Sequence, residues 1–131
     1  MAGTGGVAMP VLSFQPWKAT LVEQGLSRQT VRRERKHPIC KGDQLYLWQS
    51  QRSSNRRRLG TAICTNKDGI TIEQSIIRLC STAYAPLDDA ALLAFVRADG
   101  FEDPDQFFKF FQDHYTLPFR GVVLHWGEVT V

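Results

Sequence analysis

Ten basic residues lie between Arg28 and Arg58, opposed only by Glu34 and Asp43, so this stretch carries +8 while the whole 131-residue chain carries +3. A basic segment held on one face concentrates polyanions, and phosphate contacts from it make binding steeply salt-dependent. The alternative is a solvated basic edge. Within the stretch, Thr30 and Arg32 stand two apart in a β-compatible run, so a strand turns both to one face and Arg33 to the other. A guanidinium at Arg32 can grip a phosphate through two hydrogen bonds or stack on a base, and the Thr30 hydroxyl can bond to either. Arg28 and Arg33 flank this pair as further polyanion-contact candidates. The segment 49–57, with Arg52, Arg56 and Arg57, has no apolar content to bury and suits phosphate contact, though it carries no base code. Its alternative is a solvated tip. Tyr46 and Trp48 share one strand face. If exposed they form a stacking platform worth ~1–3 kcal/mol per base, and otherwise they fill the core of a small barrel.

Other chemistries are excluded by what is missing. His37, His114 and His125 lack the close repeats of a zinc site, and no P-loop, dinucleotide fingerprint or nucleophile elbow occurs. No metal or cofactor is expected. Cys40, Cys64 and Cys80 are widely spaced and read as free thiols of a reducing compartment, buried as small apolar side chains. No apolar run approaches the ~20 residues of a membrane span, and the first residues lack the basic and apolar regions of an export signal. A cytoplasmic protein without a membrane partner is expected.

These side chains must be positioned by short elements. Residues 1–9 read as a flexible tail, with Met9 an alternative start, and residues 10–131 as one domain. Val11 to Phe14 reads as a strand, and Pro16 opens a short helix that stops before Gly25. Strands are expected at 29–33, at 44–49 after the Lys41-Gly42-Asp43 turn, and at 59–65 and 70–77. Asn66-Lys67-Asp68-Gly69 reads as the turn between the last two. A helix follows over 87–98 and stops at Gly100. Asp103 caps another, with Pro104 in its first turn, Gln106 at the capping-box position and Phe107, Phe110 and Phe111 as a buried stripe. Residues 119–131 close the chain as a strand broken at Trp126-Gly127. The order predicts an α+β fold, a small mostly antiparallel β-barrel with about three flanking helices.

The run Leu12-Ser-Phe-Gln-Pro-Trp, the helix ending at Gly25, Gln29-Thr-Val-Arg-Arg, Lys41-Gly-Asp-Gln-Leu-Tyr-Leu-Trp, Arg58-Leu-Gly-Thr-Ala and Asp99-Gly-Phe before the Phe-rich helix together resemble the ASCH domain of the PUA-like superfamily. The likeness spans about 11–126. It implies a PUA-type barrel with a cleft near Thr30 and Arg32, and RNA or a nucleoside or nucleotide as ligand. Members include RNA-binding modules, ribonucleases and a bacterial amidohydrolase acting on acetylcytidine. The hydrolase branch carries Lys-Thr-x-Thr-x-Arg and a distant Glu. Thr30 and Arg32 match it, Ser27 stands where the Lys is expected, and Asp99 stands in place of the Glu. A Lys can lose its proton and activate a Thr hydroxyl, which a Ser cannot do unaided.

The reading that follows is an RNA-binding module for single-stranded or modified RNA, with Thr30, Arg32 and Asp99 in the cleft. An Arg32–Asp99 structural ion pair is the alternative use of those two side chains. The second reading is a hydrolase on the same scaffold, either a metal-independent ribonuclease or, disfavoured by Ser27, an amidohydrolase, with Thr30 and Asp99 as catalytic candidates. An acidic stretch over 88–113 leaves open a protein-interaction surface with no identified partner.

Overall fold

A computed structural model of the chain describes residues 9–131, and the expected tail, Met9 apart, lies outside the described residues. β1 (Val11–Phe14), α1 (Pro16–Glu23), β2 (Gln29–Arg32), β3 (Gln44–Gln49), β4 (Arg57–Glu73) and β5 (Ile76–Leu79) are followed by α2 (Asp89–Ala98), α3 (Pro104–His114) and β6 (Phe119–Trp126). The fold is α+β, with three α-helices and one six-stranded sheet of order β1-β3-β4-β6-β2, β5 branching from β4. Among the described residues only the β1–β3 pair is parallel. No helix among the described residues is long and apolar enough to cross a membrane.

The ladder does not close, yet its two edges meet through side chains. β1 is an edge strand, and the carbonyls of Pro10 and Phe14 turn towards β3 and the loop after it, accepting from Tyr46 N and Ser50 N. The alternation of a strand therefore aims the carbonyls of Val11 and Ser13 at the free edge. Arg32 Nη2 donates to Ser13 O at 2.7 Å and Arg35 Nη2 donates to Val11 O at 2.5 Å. Cations thus cover an edge that would otherwise offer bare acceptors.

The sheet is apolar on both sides at β6, between β4 and β2. Val122, Leu124 and Trp126 of β6 pack with Leu12, Leu45, Leu47 and the Ala19 and Val22 side chains of α1. Val123 and Phe119 of the same strand pack with Val31, Ile70 and the Phe107–Phe111 face of α3. The consecutive buried run at 122–124 reflects this two-sided burial.

Helix ends follow their local signals. Asp88 accepts from Ala91 N and Asp103 from Gln106 N, each satisfying an orphan donor of a first turn. Gln106 reaches back to Glu102 N, one residue before the cap. At the end of α2, Gly100 at φ +100 lets Phe101 N reach Val96 O and Gly100 N reach Arg97 O, the paired bonds of a Schellman turn.

One expectation fails. Asn66–Gly69 is not a turn: β4 runs unbroken for 17 residues, and these four pair with His125, Leu124, Val123 and Val122 of β6. Tertiary pairing overrides the Asp-Gly preference. The polar side chains find partners outside the ladder, Lys67 with Glu34 and Asp68 with Ser81 N. The chain instead reverses at Gln74-Ser75, where Ser75 has φ 62. The strand expected over 70–77 is thus the end of β4 and the start of β5.

Gly121, beside the β2 pairing, tests how tightly that strand is seated. A Cβ there would fall 2.3 Å from Arg32 O and 2.8 Å from the Phe119 ring. Gly121→Ala is expected to cost about 1–3 kcal/mol, as overpacking does, seen as a lower urea midpoint. An unchanged midpoint would show that β2 is free to shift.

Candidate functional site: a polar-floored cleft between the two cores

Between the two apolar clusters lies a cleft of about 200 Å³, lined by Ser13 and Phe14 of β1, Trp17 and Lys18 of α1, Thr30–Arg32 of β2, Asp99, Phe101, and Phe110, Phe111 and Tyr115. It is smaller than the ~300–1,000 Å³ sites that enclose drug-sized ligands, and suits one ring-sized group. The expected Thr30, Arg32 and Asp99 come together here. Lys18, which sequence reasoning did not single out, joins them.

Lys18 is on the inner face of α1, one turn before Val22 and beside Ala19. Its side chain is 7% exposed and that of Asp99 6%. Nζ donates to Gln29 O at 2.9 Å and to Asp99 O at 2.6 Å, and lies 3.5 Å from Asp99 Oδ1. Asp99 Oδ1 also accepts from Gln29 Nε2 at 3.4 Å. Burial pushes the Lys18 ammonium below its ordinary range against the pull of Asp99, with Arg32 adding to the lowering. The same burial pushes the Asp99 carboxyl up, against Lys18 and the Gln29 hydrogen bond.

Arg32 does not pair with Asp99. Its Nε donates to Thr30 Oγ1 at 3.1 Å, its Nη2 to Ser13 O, and its guanidinium lies 5.0 Å from the Phe14 ring centroid. Burial lowers its pKa, with Arg35 contributing, but guanidinium stays protonated in proteins. Thr30 accepts from Arg32, which leaves its hydroxyl proton to donate. Above this polar floor stands an aromatic wall, with Trp17 5.2 Å from Phe101 and 6.3 Å from Phe110 between ring centroids. Trp17 is 41% exposed, so part of its face is open to a ligand.

Ser27, at the position expected for an amine, is outside the cleft: it is buried and donates to Ala98 O at 2.8 Å. The amine arrives from α1. A charged residue one turn from Val22 on an otherwise apolar helix face was the available signal for Lys18.

The remaining candidates are spread around the sheet. Ser13 also borders the loop after β3, where its hydroxyl accepts from Gln51 N, so exposed Arg52 lines a shallow hollow that shares Ser13 with the cleft, with exposed Arg56 farther along the loop. Arg57 forms an exposed ion pair with Glu23 at 2.5 Å and donates to Gln49. Arg33 lies over the Tyr115 and Phe119 rings. Arg28 is exposed by a shallow hollow with His125 and Gly25. Tyr46 and Trp48 are not core: Leu45 and Leu47 take the inner face of β3, leaving the two aromatics half-buried on the outer face. Of the thiols, Cys64 is buried as expected, while Cys40 and Cys80 are exposed. No cluster suited to a metal occurs among the described residues.

No family model, curated protein or solved structure matches the chain.

The Lys18–Asp99 contact makes a pH-dependent prediction. Lys18→Met strands a buried carboxylate and is expected to cost about 3–5 kcal/mol. Without the ammonium the Asp99 carboxyl rises further, so the folded state holds a proton that the unfolded chain releases, and stability falls as pH rises through that window. Urea unfolding across pH should show the smallest penalty in mild acid and the largest near neutrality. A penalty flat with pH would mean that Asp99 is not stranded.

Proposed function

We propose that this chain is an RNA-binding module of ASCH type, its curled sheet a PUA-like barrel, and that the cleft takes one unstacked base. The reading is carried by one observation: a ring-sized cleft with a floor of Lys18, Thr30, Arg32 and Asp99, an aromatic wall, and Ser13 shared with a hollow at a cationic loop. RNA recognition uses this combination, with splayed bases stacked on aromatic or guanidinium planes and hydrogen-bonded along their edges. Thr30 supplies a donor and Asp99 an acceptor for those edges, and Arg52 and Arg56 meet the phosphates.

A hydrolase is the second reading, favoured by the meeting of Lys18, Thr30 and Asp99 in one cleft. In it Thr30 Oγ1 attacks an acyl carbon and passes its proton to a neutral Lys18. The leaving amine takes that proton, and water then releases the acyl group from Thr30. The contacts of Lys18 favour binding instead, since its N–H groups face two carbonyls and a carboxylate, acceptors that hold it as an ammonium.

Arg32→Ala is expected to weaken binding of a short single-stranded RNA at least tenfold at every salt concentration. Arg56→Ala should mainly flatten the salt dependence, by about 0.7 in the log–log slope for one lost phosphate contact. Unchanged affinity in both variants would overturn the reading. Acetylcytidine or RNA cleaved in chelator by the wild type, and not by Thr30→Val, would establish the hydrolase in its place.

A further inference from the structure

The seam between β1 and β2 has two ends. At one, Arg32 on Ser13 O forms part of the cleft floor; at the other, Arg35 on Val11 O borders a second and wider hollow of about 690 Å³. Pro10, Lys36, His37, Pro38 and the outward face of Tyr46 line this hollow with Arg35. Its charge is lopsided. Asp43, whose Oδ2 accepts from Cys40 N at 2.8 Å, sets one negative charge in the lining against the positive charges of Arg35 and Lys36, and nearby Glu34 is held by Lys67 at 2.7 Å. Lys36 and His37 have no ion pair among the described residues, and Arg35 uses one of its five donors on Val11.

We propose that this hollow is a second anion subsite, binding the phosphate that flanks the group held in the cleft. It rests on the RNA-binding reading for the identity of that group. Val11 and Ser13 are two residues apart, so the guanidiniums covering them are spaced along the seam by about 6–7 Å at ~3.3 Å per strand residue. A step of that size reaches from a base held in the cleft to the phosphate flanking it. Arg35 and Lys36 supply charge, His37 a further nitrogen donor, and Tyr46 a ring on which a neighbouring base can stack. The seam then acts as a track, its reading pocket at Arg32 and its phosphate anchor at Arg35.

The double variant Lys36→Gln/His37→Gln tests it, leaving Arg35 in place because that side chain covers the β1 edge. Two probes are used, inorganic pyrophosphate followed by amide NMR shifts and a short single-stranded RNA followed by affinity. Pyrophosphate should shift residues 35–39 and Tyr46 in the wild type and not in the variant. RNA affinity should fall about five- to tenfold in the variant, with a salt slope shallower by about 0.7 for the lost lysine. Nucleoside binding should stay unchanged. Pyrophosphate shifts confined to 50–57, or RNA affinity kept in this variant while Arg32→Ala loses it, would overturn the subsite and leave the cleft reading standing. Pyrophosphate held at 35–39 by a protein that binds no RNA would overturn both the RNA track and the cleft reading.

Discussion

Lys18 carries an ammonium into a place with almost no water, and the cleft is organised around making that charge tolerable. Burying an ion costs several kcal/mol even after relaxation, and the cost is offset only when the surroundings supply acceptors in good geometry. Here they come from two separate elements, Gln29 O at the start of β2 and both the carbonyl and the carboxylate of Asp99 at the end of α2. α1, β2 and α2 are therefore tied at one atom. A cation at that point also complements the negative end of α2, whose Ala98 carbonyl is bonded by Ser27. Because Asp99 is fixed, Gly100 makes its turn in contact with Trp17 and Phe101 enters the aromatic wall. Polar floor and aromatic wall share one anchor.

The second constraint is the free edge of β1. A sheet with bare acceptors at its edge invites pairing with another chain, and proteins blunt such edges with strands, bulges or charge. This one uses two guanidiniums, which have donors left over after each carbonyl is met. The groups that protect the edge thus keep donors free for a ligand. Arg32 shows the overlap most clearly, since it holds Thr30, covers Ser13 and lies against Phe14.

The elements whose signals are local were legible in the sequence. Pro16, Gly25, Asp88, Gly100, Asp103 and Pro104 mark helix boundaries through φ, caps and missing donors, and the helices form where those residues place them. Thr30 and Arg32 reach one cleft because strand alternation is a local rule. What depended on pairing was not legible. Asn66–Gly69 has the composition of a turn, and only the presence of β6 alongside makes it strand. Tyr46 and Trp48 suited either face, and the register of β3 against β1 and β4 turned them outward. Arg57 looked as free as Arg56 until α1 brought Glu23 to it. Lys18 was overlooked for a related reason. A lysine on a short helix is ordinarily solvated, and its burial follows from acceptors that are 11 and 81 residues away in sequence.

The protonation of Lys18 also separates binding from hydrolysis on physical grounds. Burial favours the neutral amine, which a base activating Thr30 would need. Two carbonyls and a carboxylate favour the ammonium, because a neutral amine has one donor fewer and would turn a lone pair towards one of them. A neutral Lys18 beside an ionised Asp99 would also leave a buried carboxylate uncompensated, so losing one charge raises the cost of the other. The arrangement favours both charges together, a state that leaves Lys18 no free lone pair. Turnover would need a ligand that separates Lys18 from Asp99, whereas recognition needs only the donors and acceptors already in place.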